Sequence, residues 1–549
     1  MYKTIILFTA SFFVLLSSLS ISAQDNSGEN GPTQPMPPNP YQTLKKYIKE
    51  QNNYITPIFE LENAKKEYLA SPLKGIYLDY MTYLQGMVGN YREMYRYEED
   101  FLKSLPITEN SRIQNSTDIK ISPLKDHKEI DAVKAIEKVA ETEQVIMINE
   151  EHRTPHHRAF TTQLLQGLYN KGFRYLAIEA LYSTDNELNK RRYPIQKTGS
   201  IYISDPVFGD MIRTALQIGY KLVPYEFEGK CIPKPPNPFE CNQKREKEQA
   251  QNIYDRILKN DPKAKILVHA GRDHIAKVAT PELTMMAKHF EEITKITPFS
   301  IDQMRLSERH DPADEIPLYR YLAKQNLRNP TVFETPGGEY FGKSESHDMF
   351  VFHPRMKYEN GRPTWLEMDG ERRSTVIDPA KLKLNVLDQK LDDKESFLVQ
   401  AFYLDESPDA IPIDQVLISP NEQIPALMLP IGNFKIRTMN ESGEITAEYT
   451  EKVQNNYFIV FYSLGKNWDS SKAPNEQLYF KDHSQHLSKL RKEKRISIGG
   501  RYGEKGLLIL KALDLAEAEK RINEDIAMKN DLFSVEIYPF APFYNGSIK

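Results

Sequence analysis

Glu150, His152, Glu179, Glu226, Arg245 and His274 are the residues whose types could do chemistry together. A histidine beside carboxylates has its tautomer fixed and its proton affinity raised, which suits a general base near neutral pH. His152 is the candidate base or metal ligand, and His274 the second. Glu150 and Glu179 would orient an imidazole or hold a water. Arg245 would stabilise an oxyanion or bind a substrate carboxylate. Two histidines with one or two glutamates also suit a divalent metal with an open position, and His152, Glu179 and His274 would be its ligands. Glu226 is an additional candidate; for Glu179 and Glu226 the competing reading is an ordinary solvated residue at a strand end. His157 is another addition, although His156 and His157 stand at a helix start where both would be solvated. His269 lies inside a strand run and reads as core. Glu151 should point away from Glu150, because neighbours in an extended segment face opposite sides.

Each candidate sits just beyond a short apolar run. VIMI at 145–148 leads to Asn149-Glu150-Glu151-His152, and YLAI at 175–178 leads to Glu179. KLVPY at 221–225 leads to Glu226, and KILVH at 265–269 leads to Gly271-Arg272-Asp273-His274. Amphipathic stretches separate the runs, and this alternation predicts a parallel α/β sheet over roughly 130–305. After the first strand Thr154 can cap a helix with Pro155 at its first position, and Gly172 and Gly219 close two helices. Open parallel sheets bind ligands beyond the carboxyl ends of their strands. If the four strands lie side by side, all four polar clusters face one cleft.

The stretch NEEHRTPHHRAFTTQLLQGLYNKGFRYLAIE, followed by GRDH at 271–274, resembles the two signatures of the superfamily that holds erythromycin esterases, Tiki-type proteases and ChaN-type haem-binding proteins. In those families a strand ends in G-E-x-H or G-E-x-x-H, a second strand ends in Glu, and a G-x-x-H follows. Arg245 stands where such members carry an Arg before a helix leading to the second motif, and His157 matches a histidine of the ChaN-like pattern. Asn149 departs from the pattern, replacing the Gly of the first motif; Asn tolerates a left-handed backbone better than most residues. The resemblance implies either an ester, lactone or peptide-bond hydrolase or a haem- or iron-binding uptake protein. Haem needs an apolar slot with a Tyr, His or Met ligand, and Tyr182, Tyr193 and Tyr202 are available. A third expectation is a scaffold without activity.

The elements around this region complete the expected fold class: α/β, mainly a parallel sheet with flanking helices, then a small β-domain and a ferredoxin-like α+β domain. Residues 41–330 form the esterase- or ChaN-like domain with a helical N-terminal part, 331–450 a β-rich, sandwich-like domain, and 455–545 the last. That final segment reads as β-α-β-α-β. HSQHLSKLRKEKRISIGGRY and GLLILKALDLAEAEKRINEDIAMKNDLFSVEIYPF within it resemble the YCII-like family. The resemblance implies a His–Asp pocket at His483 and Asp525 and a homodimer through this domain; a merely structural pair is the competing reading. Ile526 stands where the family has Pro.

Residues 1–23 combine Lys3, an apolar run and Ser22-Ala23, the layout of a cleavable secretory signal. The run is short for a span of about 20 residues. Residues 24–40 read as a flexible leader, and the protein is expected in the periplasm or secreted. Its two cysteines, Cys231 and Cys241, share one Pro-rich loop and are expected to bond in such a compartment. A net charge of −4 leaves no electrostatic footprint for nucleic acid. The partner is then a small molecule, a peptide or haem.

Overall fold

The computed structural model describes residues 36–105, 124, 126–231, 239–454, 456–493, 495–512 and 514–543. The expected signal sequence and all of the leader before residue 36 lie outside the described residues. Among them no helix is long and apolar enough to cross a membrane.

An eight-stranded sheet organises the first part of the chain. Its strands are β1 Lys128–Asp131, β2 Val145–Glu150, β3 Phe173–Ile178, β4 Lys221–Pro224, β5 Lys265–Gly271, β6 Phe299–Leu306, β7 Thr331–Glu334 and β8 Met349–Phe352. They lie in the order β1-β7-β8-β6-β2-β5-β3-β4. The run from β8 to β4 is parallel throughout, and β7 and β1 add antiparallel pairings at one side. The fold is therefore a mixed α/β one with a large, mainly parallel sheet and several small antiparallel sheets elsewhere. All six residues of β2 are buried, as expected for a parallel strand covered on both faces. Alternate residues feed two cores: Ile146 and Ile148 join Leu164, Phe208 and Met211 on one face, while Val145 and Met147 join Ile253, Ile257 and Phe290 on the other.

The four strands expected to carry polar ends are neighbours, in the order β2-β5-β3-β4. Register aligns their carboxyl ends, with Glu150 opposite Gly271 and Ile178 opposite both His269 and Pro224. Connecting helices begin and end where the sequence marks them. Pro155 opens the helix Pro155–Asn170, Gly172 follows it at φ +95°, and Gly219 caps Pro206–Ile218 at φ +118°. Thr154 contributes no capping bond; instead the Glu151 N–H donates to His157 Nδ1 at 3.0 Å. The N-terminal helices Lys74–Met87 and Tyr91–Ser104 support the loop after β2, because Arg153 Nε donates to Asp79 at 2.6 Å and its guanidinium lies over Phe101.

β7 and β8 lie beyond residue 330 yet pair with β1 and β6, so the main sheet continues into the expected β-rich segment. The rest of that segment holds a four-stranded sheet made by Asp414–Ile418, Phe397–Tyr403, Gly432–Asn440 and Ile445–Val453, in that order. The chain divides into two compact units. The first is Met1–Met368, Ser374–Met428 and Lys435–Thr450; the second is Asp369–Arg373, Leu429–Phe434 and Glu451–Lys549. The second unit runs Asn456–Leu464, helix Phe480–Lys492, Ile496–Tyr502, Lys505–Ala512, helix Leu515–Asn523, a short helix Ile526–Lys529, and Phe533–Phe540. Ile496–Tyr502 is a strand more than the expected β-α-β-α-β order, and it pairs antiparallel with Lys505–Ala512.

Candidate functional site

Two clusters meet at the carboxyl edge of the sheet. The first is built on Glu150, the last residue of β2, which is 1% exposed. Its Oε1 lies 2.7 Å from His152 Nδ1, and its Oε2 lies 2.8 Å from His269 Nε2. Arg158, on the first turn of the following helix, donates to both Glu150 oxygens at 2.7 and 2.9 Å, to the His152 carbonyl at 2.7 Å, and to Asp205. Burial works against the charge on Glu150, but Arg158 and His269 outweigh it and hold the carboxyl well below the usual range. A carboxylate fixed in this way accepts a hydrogen bond from His152 Nδ1–H and leaves Nε2 as the free nitrogen. Tyr202 stacks on the imidazole, rings 4.2 Å apart and nearly parallel; burial pushes its hydroxyl up to about 12, so it stays a phenol.

The second cluster joins β3, β4, β5 and the helix Glu240–Ile253. Arg245 donates to both oxygens of Glu226, at 2.9 and 2.5 Å, and to Glu179 Oε1 at 2.5 Å. The Gly271 N–H donates to Glu179 Oε2 at 2.5 Å. Burial opposes ionisation of Glu179, and His274 and Arg245 outweigh it, so its carboxyl stays well below the usual range. His274 Nδ1 lies 2.7 Å from Glu246 and its Nε2 3.5 Å from Glu179. Arg245 Nη1 also approaches Nε2, at 3.0 Å. Burial disfavours charge on His274, and Arg245 pulls the same way. The two carboxylates, Glu246 first, win and lift the imidazole to about 10.

Gly271 lets the clusters face each other. A Cβ at this position would lie 2.3 Å from His152 Nε2 and 3.1 Å from Glu179 Oε2. The free nitrogen of His152 therefore closes on the β5 backbone beside Glu179. A small recess lined by Tyr83, Met87, Pro155 and Tyr202, with the charged Arg158 and Asp205, adjoins the imidazole.

Several expectations need correction. His157 is 1% exposed, not solvated: it accepts the Glu151 N–H, meets Ser307 Oγ at 3.2 Å, and is pushed down to about 4 by burial. His156 stacks on Trp365 and contacts the buried His353 ring. His269 is buried as expected, yet it belongs to the Glu150 network. Asn149 does not adopt a left-handed backbone. It ties strands together, its amide donating to the Arg272 carbonyl at 3.0 Å and accepting the Gln303 N–H at 2.9 Å. Glu151 does separate from Glu150, pairing with Arg153 and Arg272.

His152, Glu179 and His274 do not fit a divalent cation. The Arg245 guanidinium lies against both Glu179 and His274, placing positive charge where the ligands would converge. Among the described residues no group of three or more His, Cys, Asp or Glu is arranged to hold a metal. Of the tyrosines considered for haem, Tyr202 is covered by His152, Tyr193 takes the Ser407 N–H at 3.1 Å, and Tyr182 is 41% exposed.

Arg158, Asp205, Glu246 and Tyr202 are the site residues that the sequence reading did not assign to catalysis. Arg158 and Glu246 had a signal, since each lies on a helix that starts or runs beside a motif residue. Asp205 had none as a site residue, and Tyr202 stood only as a haem-ligand candidate; the segment beyond β3 brings both in. Cys231 and Cys241 form the expected disulfide, Cα atoms 5.6 Å apart.

In the second unit His483 Nδ1 lies 2.5 Å from Asp525 Oδ2, and Asp525 also accepts the Ala527 N–H at 2.9 Å. Phe533 and Tyr462 pack against the imidazole. The pair is buried, at 9% and 1% exposure.

No protein-family model and no curated protein matches the sequence. Among solved structures the chain is similar to the type III effector HopBA1, at 14% identity and a TM-score of 0.25, over 34% of this chain and 89% of that one. It is also similar to RRSP, a MARTX toxin effector domain from Vibrio vulnificus CMCP6, at 15% identity and a TM-score of 0.27, over 50% of this chain and 58% of that one. Likenesses this distant carry no argument about function.

Proposed function

We propose that the chain is an exported hydrolase of ester, lactone or peptide-like bonds in which His152 activates water. The observation that carries this reading is the 2.7 Å contact between Glu150 and His152 Nδ1, on a carboxylate that Arg158 grips from two sides. Glu150 fixes the tautomer, His152 Nε2 accepts the proton of an attacking water, and Glu150 stabilises the imidazolium that forms. Glu179 borders the position where that water would stand. Arg245 has Nε and Nη2 committed to carboxylates and Nη1 turned to His274, so it acts mainly by holding Glu179 and Glu226 in place. The resemblance of NEEH and GRDH to the esterase and Tiki signatures supports the same reading. ChaN-like haem binding is the alternative function and an inactive scaffold the third.

The test is a panel of chromogenic esters, lactones and peptides offered to the purified mature protein, beside a haem titration followed by visible absorption. Turnover without a haem band supports the hydrolase. A stoichiometric haem spectrum without turnover overturns it in favour of the binding protein, and silence in both favours the scaffold.

We further propose that 455–545 is a YCII-like, ferredoxin-type domain that dimerises; the His483–Asp525 contact and the strand order around it support this. Sedimentation of the full chain as a monomer at tens of micromolar would contradict the dimer.

A further inference from the structure

Glu226 and Arg245, which pair beside the cleft, flank the Cys231–Cys241 disulfide in the sequence. β4 delivers Glu226. Cys231 follows it, Cys241 lies in the first turn of the helix Glu240–Ile253, and Arg245 comes one turn later. Gln249, a further turn on, donates to both Glu226 oxygens at 3.2 Å. The other side of this helix is anchored separately: Gln243 accepts the Thr284 N–H at 2.8 Å and Glu246 the Met286 N–H at 2.7 Å.

We propose that the Cys231–Cys241 disulfide is a redox-sensitive positioning clamp that keeps Arg245 on Glu226 and Glu179, so that a dithiol reductant disengages this half of the cleft while the sheet stays folded. The proposal rests on reading the cleft as catalytic. Arg245 can hold two carboxylates and meet His274 only if the start of its helix stays in register with β4. Without the disulfide the first turns of the helix are held to Glu226 by the Arg245 pair, whose side chains are 18% and 19% exposed, while Gln249 and Asn252 tie the helix to Tyr225 and Glu226 only further along. A displacement of about 1 Å in a catalytic constellation can cost on the order of 10²-fold in rate.

Cys231 is partly exposed and Cys241 is 7% exposed, so attack falls on Cys231 Sγ. The reductant thiolate forms a mixed disulfide with Cys231, and the Sγ of Cys241 leaves and takes a proton. The second thiol of the reductant then displaces Cys231, which is protonated in turn. Two electrons have passed to the protein, and the dithiol departs as its own disulfide.

Hydrogen exchange with mass-spectrometric readout tests this on the full chain in three forms: oxidised, treated with dithiothreitol, and as Cys231→Ser/Cys241→Ser. Amides over 241–250 should exchange at least about tenfold faster without the bond, with β2 and β5 unchanged. Unchanged exchange over 241–250 overturns the clamp, and so does equal loss across β2 and β5, which would make the bond a general staple. Turnover of the best ester provides the second readout. Breaking the bond should lower kcat in the wild type and add nothing in an Arg245→Gln background; additive losses would show that the bond does not act through Arg245. If the helix loosens on reduction and no form turns over any ester, the clamp stands and the catalytic reading falls.

Discussion

Replacing Glu246 by Gln should bring His274 down from its raised position to near neutrality. The imidazole lies 2.7 Å from Glu246, and both side chains are almost fully buried. Two charges about 4 Å apart, the distance between their charge centres, interact by roughly 4 kcal/mol at an effective dielectric of about 20. At 1.36 kcal/mol per pH unit this is about 3 units, so a group lifted to about 10 should fall to about 7. Gln keeps an oxygen for the Met286 N–H that Glu246 now accepts at 2.7 Å, so the helix it caps should persist. The assay is the Cε1–H titration of isotope-labelled histidines, with His274→Gln assigning the resonance. A second consequence concerns stability. A histidine raised in the folded state stabilises fully below its unfolded value of about 6.5 and loses that contribution as pH rises toward 10, about 5 kcal/mol at most for 3.5 units. Wild-type unfolding midpoints should fall across pH 6.5–10, and the variant should be nearly flat there. A wild-type His274 that titrates at or below 6.5 would refute the reasoning. Nε2 would then be a lone-pair acceptor for Arg245, and the guanidinium, not the carboxylates, would govern the site.

Three further outcomes follow from the same geometry. Glu150→Gln should cost about 3–5 kcal/mol in urea unfolding at pH 7, because it strips a buried carboxylate from Arg158, His152 and His269; a loss under 1 kcal/mol would contradict the network. Gly271→Ala should lower activity: its φ of −75° is ordinary, and the atoms nearest the new methyl are those of the His152 ring, which must shift, and Glu179. Unchanged turnover would show that His152 need not stand there. In acid, His157 and His353, both held low by burial, contribute stability that is complete above about 6.5 and lost as pH falls. For His157, at about 4, that loss is about 3 kcal/mol. Thermal melts should therefore drop from pH 6.5 toward 4, and a flat profile would contradict the burial of these rings.

The four strand ends were legible because each is an apolar run stopped by a polar residue, and parallel topology then forces those residues to one edge. That is how Glu150, His152, Glu179, Glu226 and His274 could be gathered from one sequence. Two things stayed hidden. Asp205 and Tyr202 arrive on a loop whose sequence carries no periodicity, and they reach the site only through the tertiary path of residues 181–205. A helix start is usually wet, so nothing in the sequence marks His157 as buried and His156 as partly covered; His353 and Trp365 reach them from more than 190 residues away in the chain. The extension of the main sheet past residue 330 was hidden for a similar reason: β7 and β8 are four residues each, too short to show which sheet they join. Asn149 reads as a substitute for glycine in the sequence, whereas its amide adds a side-chain bond to Gln303 beside the backbone pairing of β2 with β6.

The central claim is that His152 is the general base, and the most direct measurement is the kcat/KM of wild type and His152→Ala on whichever ester, lactone or peptide the panel identifies. A general base contributes roughly 10²–10⁴-fold, so the account predicts a loss of that size with an unchanged unfolding midpoint. Wild-type turnover in His152→Ala would contradict it.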